Sequence, residues 1–385
     1  MNNELIEAES LLKSQGETWE SILQKTDEWK EFIYKWAQRC PEKFRKLYLD
    51  RVFLSGWGSN QSMYDYREKI PRTKRIELPD IITDRKEWFP CNPSICPNYT
   101  NDGYFIIQRA VNFSSHRATN YVSHSSDGKF STRNLLLLTD LEFKVKGYVE
   151  ILDQSNRKLY PKHVQGLEDM QIFQIKEGNK KQKHKRLGFF CTLVDCLPTG
   201  NPQMGFGLIS IATGKITNPI RILGNGPDIC EKNWLPWWEN KGISILYSGS
   251  NMKKLRFDPH KLSPDSTNVP VTLLTIGGYR TELRDVRGGG GPINFLNNFL
   301  FLFHEVIWIN NGRTYIHRFA MVDKLRLEVL KVSTFFTFEN IDIEFARSMI
   351  WNLDQSKILI GVGIEDHQSF IYEIDPKVIE NLLVF

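Results

Sequence analysis

The chain changes its hydrophobic rhythm near residue 50. Before that point apolar residues recur at intervals of three and four, in ELIEAESLLKSQ, TWESILQKTDEWKEFIYKWAQRC and PEKFRKLYLDRV, the spacing of amphipathic helices. Trp19, Ile22, Leu23, Trp29, Phe32, Ile33 and Trp36 would line one apolar stripe, and Pro41 suits the first turn of a following helix. The expectation over residues 1–50 is a helical segment of two or three packed helices. An aromatic stripe at this spacing reads as core rather than as a ligand box.

After residue 50 short apolar runs alternate with Gly, Pro, Asn and Asp. GYFIIQRAVNF, LGFFCTLVDC, GISILYSGS, FLFLFHEVIWI and SKILIGVGIED are rich in β-branched and aromatic residues and read as strands. Helical spacing returns only in PKVIENLL near the end, so residues 51–385 are expected to be all-β. Five times, a polar or glycine-bearing signature precedes an apolar strand pair: NPSI (92–95), LEDMQIF (167–173), EKNWLPWW (231–238), RGGGGPI (287–293) and IEFARSMIW (343–351). Their starts lie about 55 to 75 residues apart, within the range at which a blade of four antiparallel strands repeats. Sheets that bury their faces only against neighbours pack radially. The fold class expected is therefore all-β, a five-bladed β-propeller with an N-terminal α-helical appendage. Innermost strands line the central channel of such a ring, so polar residues recurring there would converge on one axis.

Composition narrows the function classes. Fifty basic against 45 acidic side chains leave a net charge of +5, too small on 385 residues to argue for a nucleic-acid partner. Much of the excess sits in KEGNKKQKHKR at 176–186, which reads as a solvated hairpin tip. With 41% hydrophobic and 25% charged residues, wholesale disorder and a fibrous repeat are excluded. No apolar run approaches the roughly 18 residues of a membrane helix. The start, MNNELIEAESLLK, is acidic and polar where an export signal needs a basic end and an apolar run, so a cytoplasmic protein is expected.

The six cysteines are Cys40, Cys91, Cys96, Cys191, Cys196 and Cys230. Cys91/Cys96 and Cys191/Cys196 superficially recapitulate metal-ligand pairs, but neither holds the tight glycine turn of a zinc knuckle. Buried free thiols are the expectation, with no metal and no cofactor. Gly288 to Gly291 lacks the Gly-Lys-Ser/Thr of a phosphate loop, and close backbone approach explains it better. Trp234, Trp237 and Trp238 are placed either to stack on sugar faces or to fill blade interfaces.

In order and content the five signatures resemble those of the inverting β-mannoside phosphorylases and their β-mannosyltransferase and hydrolase relatives. They look still more like propeller modules that accompany sugar-transferase genes. The resemblance runs over roughly residues 88 to 375 and rests on the signatures rather than on continuous similarity. Glu168-Asp169-Met170-Gln171 is similar to that family's Glu-Asp-Pro-Arg, and Asn92-Pro93 to its asparagine-proline opening. Lys232-Asn233 resembles its third motif, Gly289 to Pro292 with His304 its fourth, and Gly363-Ile364-Glu365-Asp366 its closing strand.

The resemblance implies a five-bladed enzyme with its active site in the central funnel. It implies Asp169 as acid/base, protonating a leaving glycosidic oxygen or deprotonating an acceptor hydroxyl, with Glu168 beside it. Arg109 matches the first-blade arginine, and with Lys232, Arg287 and Arg318 would form a cationic set for a sugar-phosphate or sugar-nucleotide donor. Asn92, Asn233, His304, His317, Glu344, Glu365 and Asp366 complete the candidate binding residues for donor and glycan acceptor. His304 and His317 should flank a hairpin turning at Asn310-Asn311-Gly312, and no His-His-carboxylate spacing points to a metal. Strand alternation should point only one of Glu365 and Asp366 into the channel.

One departure stands out. The family's arginine that helps hold inorganic phosphate is here Gln171, which has no charge to offer a dianion, so phosphorolysis is disfavoured. An inverting glycosyltransferase is the leading expectation. Its alternatives are a non-catalytic glycan-binding or scaffold propeller that partners other glycan-biosynthesis proteins, and an inverting glycoside hydrolase using Glu344, Glu365 or Asp366 to activate water.

Overall fold

A computed structural model describes residues 10–18, residue 21 and residues 69–383. Breaks fall at 80, 82–86, 117–118, 155–157, 178–183, 217–219, 224–227, 240–241, 248–252, 260–267, 277–282, 284–285, 310–311, 334 and 340–342. The body is a five-bladed propeller. Blade I comprises the strands Phe89–Pro97, Gly103–Val111, Thr132–Asp140 and Val145–Glu150. Blade II comprises Glu168–Glu177, His184–Leu193, Gln203–Ile209 and Ile220–Leu223, with Asn268–Pro270 added in parallel at its outer edge. Blade III holds Leu235–Glu239, Gly242–Tyr247, Lys253–Phe257 and Thr272–Ile276. Blade IV holds Arg287–Phe295, Asn298–Ile309, Gly312–Val322 and Val329–Val332.

Blade V has three strands from the end of the chain, Glu344–Trp351, Ile358–Ile364 and Gln368–Ile374. Its outer strand, Lys74–Glu77, comes from before blade I. The ring is thus latched by chain segments nearly three hundred residues apart in sequence. The first strand of each blade touches the first strands of both neighbouring blades, closing the circle.

Strand sequences follow from this packing. Blade faces meet other blades, so Gly103–Val111 and Ile358–Ile364 are buried along their whole length and read as unbroken apolar runs. Each adjacent pair of blades shares a core. Phe105 and Leu136 pack with Phe189 and Leu193 between blades I and II, and Phe206 with Ile245 and Phe257 between II and III. Trp237 packs with Phe299 and Phe301 between III and IV, Leu302 with Val362 between IV and V, and Ile106 with Leu359 and Ile371 between V and I. Trp234 is fully buried, and Trp238 packs partly buried against the core shared by blades II and III. The three tryptophans therefore fill blade packing rather than present sugar-stacking faces in the funnel.

The signatures mark irregularities in the innermost strands. Register slips occur between Cys91 and Ser94, opposite Asp169-Met170, through Gly288 to Ile293, and between Ala346 and Ser348. A β-bulge bends its strand and re-aims a side chain. Asn92, Asp169 and Asn233 hold left-handed backbone, with φ of 44°, 49° and 58°, a region that Asn and Asp tolerate better than other side chains. The glycine run serves close packing: a Cβ on Gly288 would sit 2.2 Å from the carbonyl oxygen of Asn233.

Among the described residues before position 69, helix covers residues 10–14. The rest of the expected helical segment, including its aromatic stripe from Trp19 to Trp36, lies outside the described residues. The closing PKVIENLL reading corresponds to a helix at Pro376–Leu382, capped by the Asp375 side chain accepting from the Lys377 amide, with Pro376 in its first turn. The basic run spans the hairpin joining the first two strands of blade II, whose tip at 178–183 also lies outside the description. Cys91, Cys96 and Cys191 are buried free thiols, but Cys196 is half-buried and Cys230 exposed, which corrects the expectation of uniform burial.

The seam that closes the ring is tight. A Cβ on Gly361 would lie 2.2 Å from the Pro93 carbonyl oxygen and 2.7 Å from Ser348 Oγ. Gly361→Ala should therefore push blade V off blade I and lower stability by about 1–3 kcal/mol, read from the urea midpoint. An unchanged midpoint would show that this seam yields freely.

Candidate active site

The bulged ends of the inner strands open into a pocket of about 390 Å³ at the hub. Nine of the residues singled out in the sequence line it: Asn92, Arg109, Glu168, Asp169, Lys232, Asn233, Arg287, His304 and Asp366. They come from all five blades.

Asp169 is the centre of the polar network. Its Oδ1 accepts from Arg109 Nη1 at 2.7 Å and from Asn92 Nδ2 at 2.9 Å, and its backbone oxygen accepts from Arg347 Nε at 2.6 Å. Oδ2 receives no hydrogen bond from the described residues. Burial alone would raise the Asp169 pKa. The charges of Arg109, Arg347 and Lys232, with the Asn92 bond, outweigh burial and hold it below the usual carboxylate range. Asp169 therefore rests as a carboxylate at neutral pH, with one oxygen tied down and one open.

Arg109 is buried and fully engaged. Besides Asp169, it reaches Glu168 Oε1 at 3.3 Å and donates from Nε to Thr132 Oγ1 at 2.8 Å. Its fork is taken by two carboxylates, which it clamps, while it still lines the pocket. The unengaged cations lie on blades III and IV. Lys232 and Arg287 line the pocket and form no ion pair among the described residues.

His304 lines the pocket at 1% exposure, and neither ring nitrogen has a hydrogen-bond partner among the described residues. Burial, with the nearby His317, Arg287 and Arg347, pushes its pKa well down, so the ring is neutral. Its edge meets the Phe345 ring at 5.0 Å. Asp366 moves the opposite way from Asp169. Burial raises its pKa, the charges of Asp169 and Glu168 add to that, and Arg109 opposes it.

Four candidates do not reach the pocket. His317 is the cross-strand partner of His304 but sits one strand farther from the axis. Its ring is packed against Phe336 and Phe338, with Nε2 accepting the Ala346 amide at 3.4 Å. Burial lowers its pKa to about 3. Arg318, on the opposite strand face, is buried over the Phe335 ring. Glu344 is fully buried and spends both oxygens on the backbone amides of Phe338 and Glu339. Glu365 is exposed while Asp366 faces inward. The expected opposition of these two is met, but by a tight turn, closed by the His367 amide on the Ile364 oxygen, rather than by strand alternation. Gln171 is buried and does not line the pocket.

Sequence reasoning missed several lining residues. Arg313 and Tyr315 share strand parity with His317 on Gly312–Val322, so alternation puts them on one sheet face without saying that the face meets the pocket. Arg347 does not line the pocket but ties to the Asp169 backbone from inside the fifth signature, fully buried, its Nη1 and Nη2 without hydrogen-bond partners among the described residues. Phe113, Tyr121, Phe130 and Val164 carry no signature of their own.

Two outcomes follow. Arg109→Met leaves buried carboxylates without their clamp and should cost about 3–5 kcal/mol at pH 7. In the wild type the depressed Asp169 pKa contributes stability above the unfolded carboxylate pKa of about 4, and that contribution is lost as pH falls through the folded value. Without Arg109 burial dominates and the Asp169 pKa rises, so the deficit should shrink as pH is lowered toward 4. Urea denaturation from pH 8 to 4 reads this, and parallel pH profiles would contradict it. Glu365 and Asp366 both hold left-handed backbone, with φ of 51° and 55°, where hairpin turns favour Asn and Gly. Glu365→Asn should raise stability by about 0.5–1 kcal/mol, visible as a higher melting temperature; a fall would show that the glutamate side chain supports the turn.

No protein-family model matches the chain, and no curated protein matches it in sequence. Its structure is similar to that of β-1,2-mannobiose phosphorylase from Listeria innocua, with a TM-score of 0.52 at 14% identity over 80% of this chain and 96% of that one. It is also similar to a mannose phosphorylase from Leishmania mexicana solved with a phosphate ion, with a TM-score of 0.50 at 14% identity over 84% of this chain and 95% of that one. The chain therefore shares the five-bladed propeller of the mannoside phosphorylases, the fold that its five signatures resemble.

Proposed function

We propose that the protein is a glycan-processing enzyme working in the propeller funnel, and that it acts as an inverting glycosyltransferase. The observation that carries this reading is the Asp169 carboxylate, held ionised through one oxygen and open at the other, in a pocket that also presents Lys232 and Arg287, cations with no ion pair among the described residues. An ionised carboxylate suits the synthetic direction. Asp169 Oδ2 takes the proton of the acceptor hydroxyl as that oxygen attacks the anomeric carbon of the donor. The bond to the phosphate-bearing leaving group breaks, and its electron pair stays on the departing oxygen, where Lys232 and Arg287 meet the charge. A single displacement inverts the anomeric centre.

The structural neighbours are named as phosphorylases of mannose-containing substrates, which supports a glycan substrate for a pocket on this fold. Position 171, an arginine in the resembled family, is here a neutral glutamine outside the pocket lining, and the cations that do line it from blades III and IV suit a donor whose phosphate belongs to the sugar. One observation favours a hydrolase as second reading. Asp366 is a carboxyl pushed toward its protonated form in the same pocket as the ionised Asp169, and environments that separate two carboxyl pKa values can supply an acid and a base.

The test incubates the protein with sugar nucleotides or sugar 1-phosphates and β-mannoside acceptors, beside arms containing glycoside with water or with inorganic phosphate. A transferred sugar is expected, with Asp169→Asn still folded and still shifted in melting temperature by the donor, but about 10²–10⁴-fold slower. Free sugar in the water arm would favour the hydrolase, and phosphorolysis would overturn the argument from Gln171. Turnover untouched by Asp169→Asn would remove that residue from the mechanism. No turnover with any donor, together with a co-purifying protein, would leave a scaffold.

A further inference from the structure

Between the second and third strands of blade I the chain leaves the sheet and forms a separate hairpin, Phe113–His116 with Thr119–Ser123. Its base is pinned. The Asn112 side chain donates to the Lys129 oxygen at 3.0 Å and accepts from the Ser131 amide at 2.7 Å, while the His124 amide donates to the Asn112 oxygen at 2.8 Å. This hairpin adds nothing to the five-sheet ring, yet two of its residues, Phe113 and Tyr121, line the pocket.

The two rings are arranged differently. Phe113 is buried and meets Phe130 edge-on at 5.6 Å. Tyr121 rests edge-on against Phe113 at 5.7 Å and 72°, and 44% of it stays exposed. Its hydroxyl makes no hydrogen bond among the described residues. An aromatic ring backed on one side, open on the other and carrying an unused polar tip is a surface for a partner that is apolar on its face and polar at its rim. A pyranose has that character: C–H bonds on the ring face, hydroxyls around the edge.

Charge says which sugar. Lys232 and Arg287, on blades III and IV, would draw a phosphate-bearing ligand. The aromatic wall belongs to blade I, whose one lining cation, Arg109, has its fork filled by Asp169 and Glu168; Arg313, whose charge also reaches Tyr121 from blade IV, has interactions of its own. We propose that Tyr121 is the stacking platform for the neutral acceptor sugar, holding its ring at the mouth of the pocket so that a hydroxyl reaches the open oxygen of Asp169. The inference rests on the transferase reading for the acceptor's identity as a substrate, but not for its being a neutral sugar that binds there.

Tyr121 is half-exposed, so its replacement leaves the core intact. The experiment titrates a neutral β-linked mannose disaccharide into the wild type and into Tyr121→Ala, Tyr121→Phe and Tyr121→Trp by calorimetry, which needs no turnover. It is paired with acceptor and donor KM values where transfer occurs. The expected result is at least a tenfold loss of disaccharide affinity in Tyr121→Ala, recovered in the Phe and Trp variants. The acceptor KM should rise to match, with donor KM and kcat at saturating acceptor within about threefold of wild type. Absence of disaccharide binding by the wild type, binding that Tyr121→Ala leaves intact, or a donor KM that moves as much as the acceptor KM would overturn the proposal. Tyr121-dependent sugar binding without any transfer would sink the transferase reading and leave this one standing.

Discussion

The hub is organised around one buried ion pair, Arg109 on blade I with Asp169 on blade II. Taking both charges out of water is costly, and their attraction offsets that cost only when the remaining donors and acceptors are also matched. Here Thr132 takes the Arg109 Nε, Glu168 approaches its remaining fork nitrogen, and Asn92 supplies a second donor to the carboxylate. Arg347 adds a tie from blade V to the Asp169 backbone. Blades II and V are not neighbours in the ring, so this last bond crosses the central channel. Three blades are thus pinned to one residue, whose left-handed backbone turns its carboxylate toward the pocket rather than along the strand.

That arrangement divides the pocket electrically. The cation of blade I is ion-paired in place, whereas Lys232 and Arg287 form no ion pair among the described residues, although the Lys232 charge reaches Asp169. A carboxylate with an open oxygen shares the pocket with these cations, the polarity on which the proposed transfer draws. His304, neutral and with neither ring nitrogen bonded among the described residues, adds donor and acceptor capacity without altering the sign of the field.

The fold was legible because the signal repeats. Five signatures, each introducing unbroken apolar strands, mark five inner strands, and the period gives the blade number. The latch did not repeat and was invisible: KRIE at 74–77 is short, charged and mostly exposed, like many edge strands. Around the site most residues on signatures were found, Arg347 excepted, and residues reached only through geometry were missed. Tyr315 and Arg313 lie on the third strand of blade IV, where period-two alternation marks a face but not whether that face meets the pocket. Glu344 misled for the opposite reason. It sits in a signature, yet its carboxylate satisfies two backbone amides, a demand that no sequence pattern separates from ligand binding. The hairpin bearing Tyr121 reads as ordinary strand and turn, and only its departure from the sheet gives it meaning.

Backbone conformation bears on the choice between an enzyme and a scaffold independently of charge. Asn92, Asp169, Asn233, Glu365 and Asp366 all occupy the left-handed region, which costs a residue with a side chain roughly 1–2 kcal/mol. Glycine would meet the same turns without that cost. A hub that only had to close would be steadier with glycine at these places, as the glycine run of blade IV illustrates where blades press together. Four of these five side chains instead face the pocket, and Glu365 holds the turn that presents the fourth. Strain of this kind persists where the surrounding structure over-determines it and clusters at sites that bind or react. The side chains retained at that cost are amides and carboxylates, the groups that read hydroxyls. The energetics of the backbone and the electrostatics of the pocket thus both accord with the sugar proposed above as its occupant.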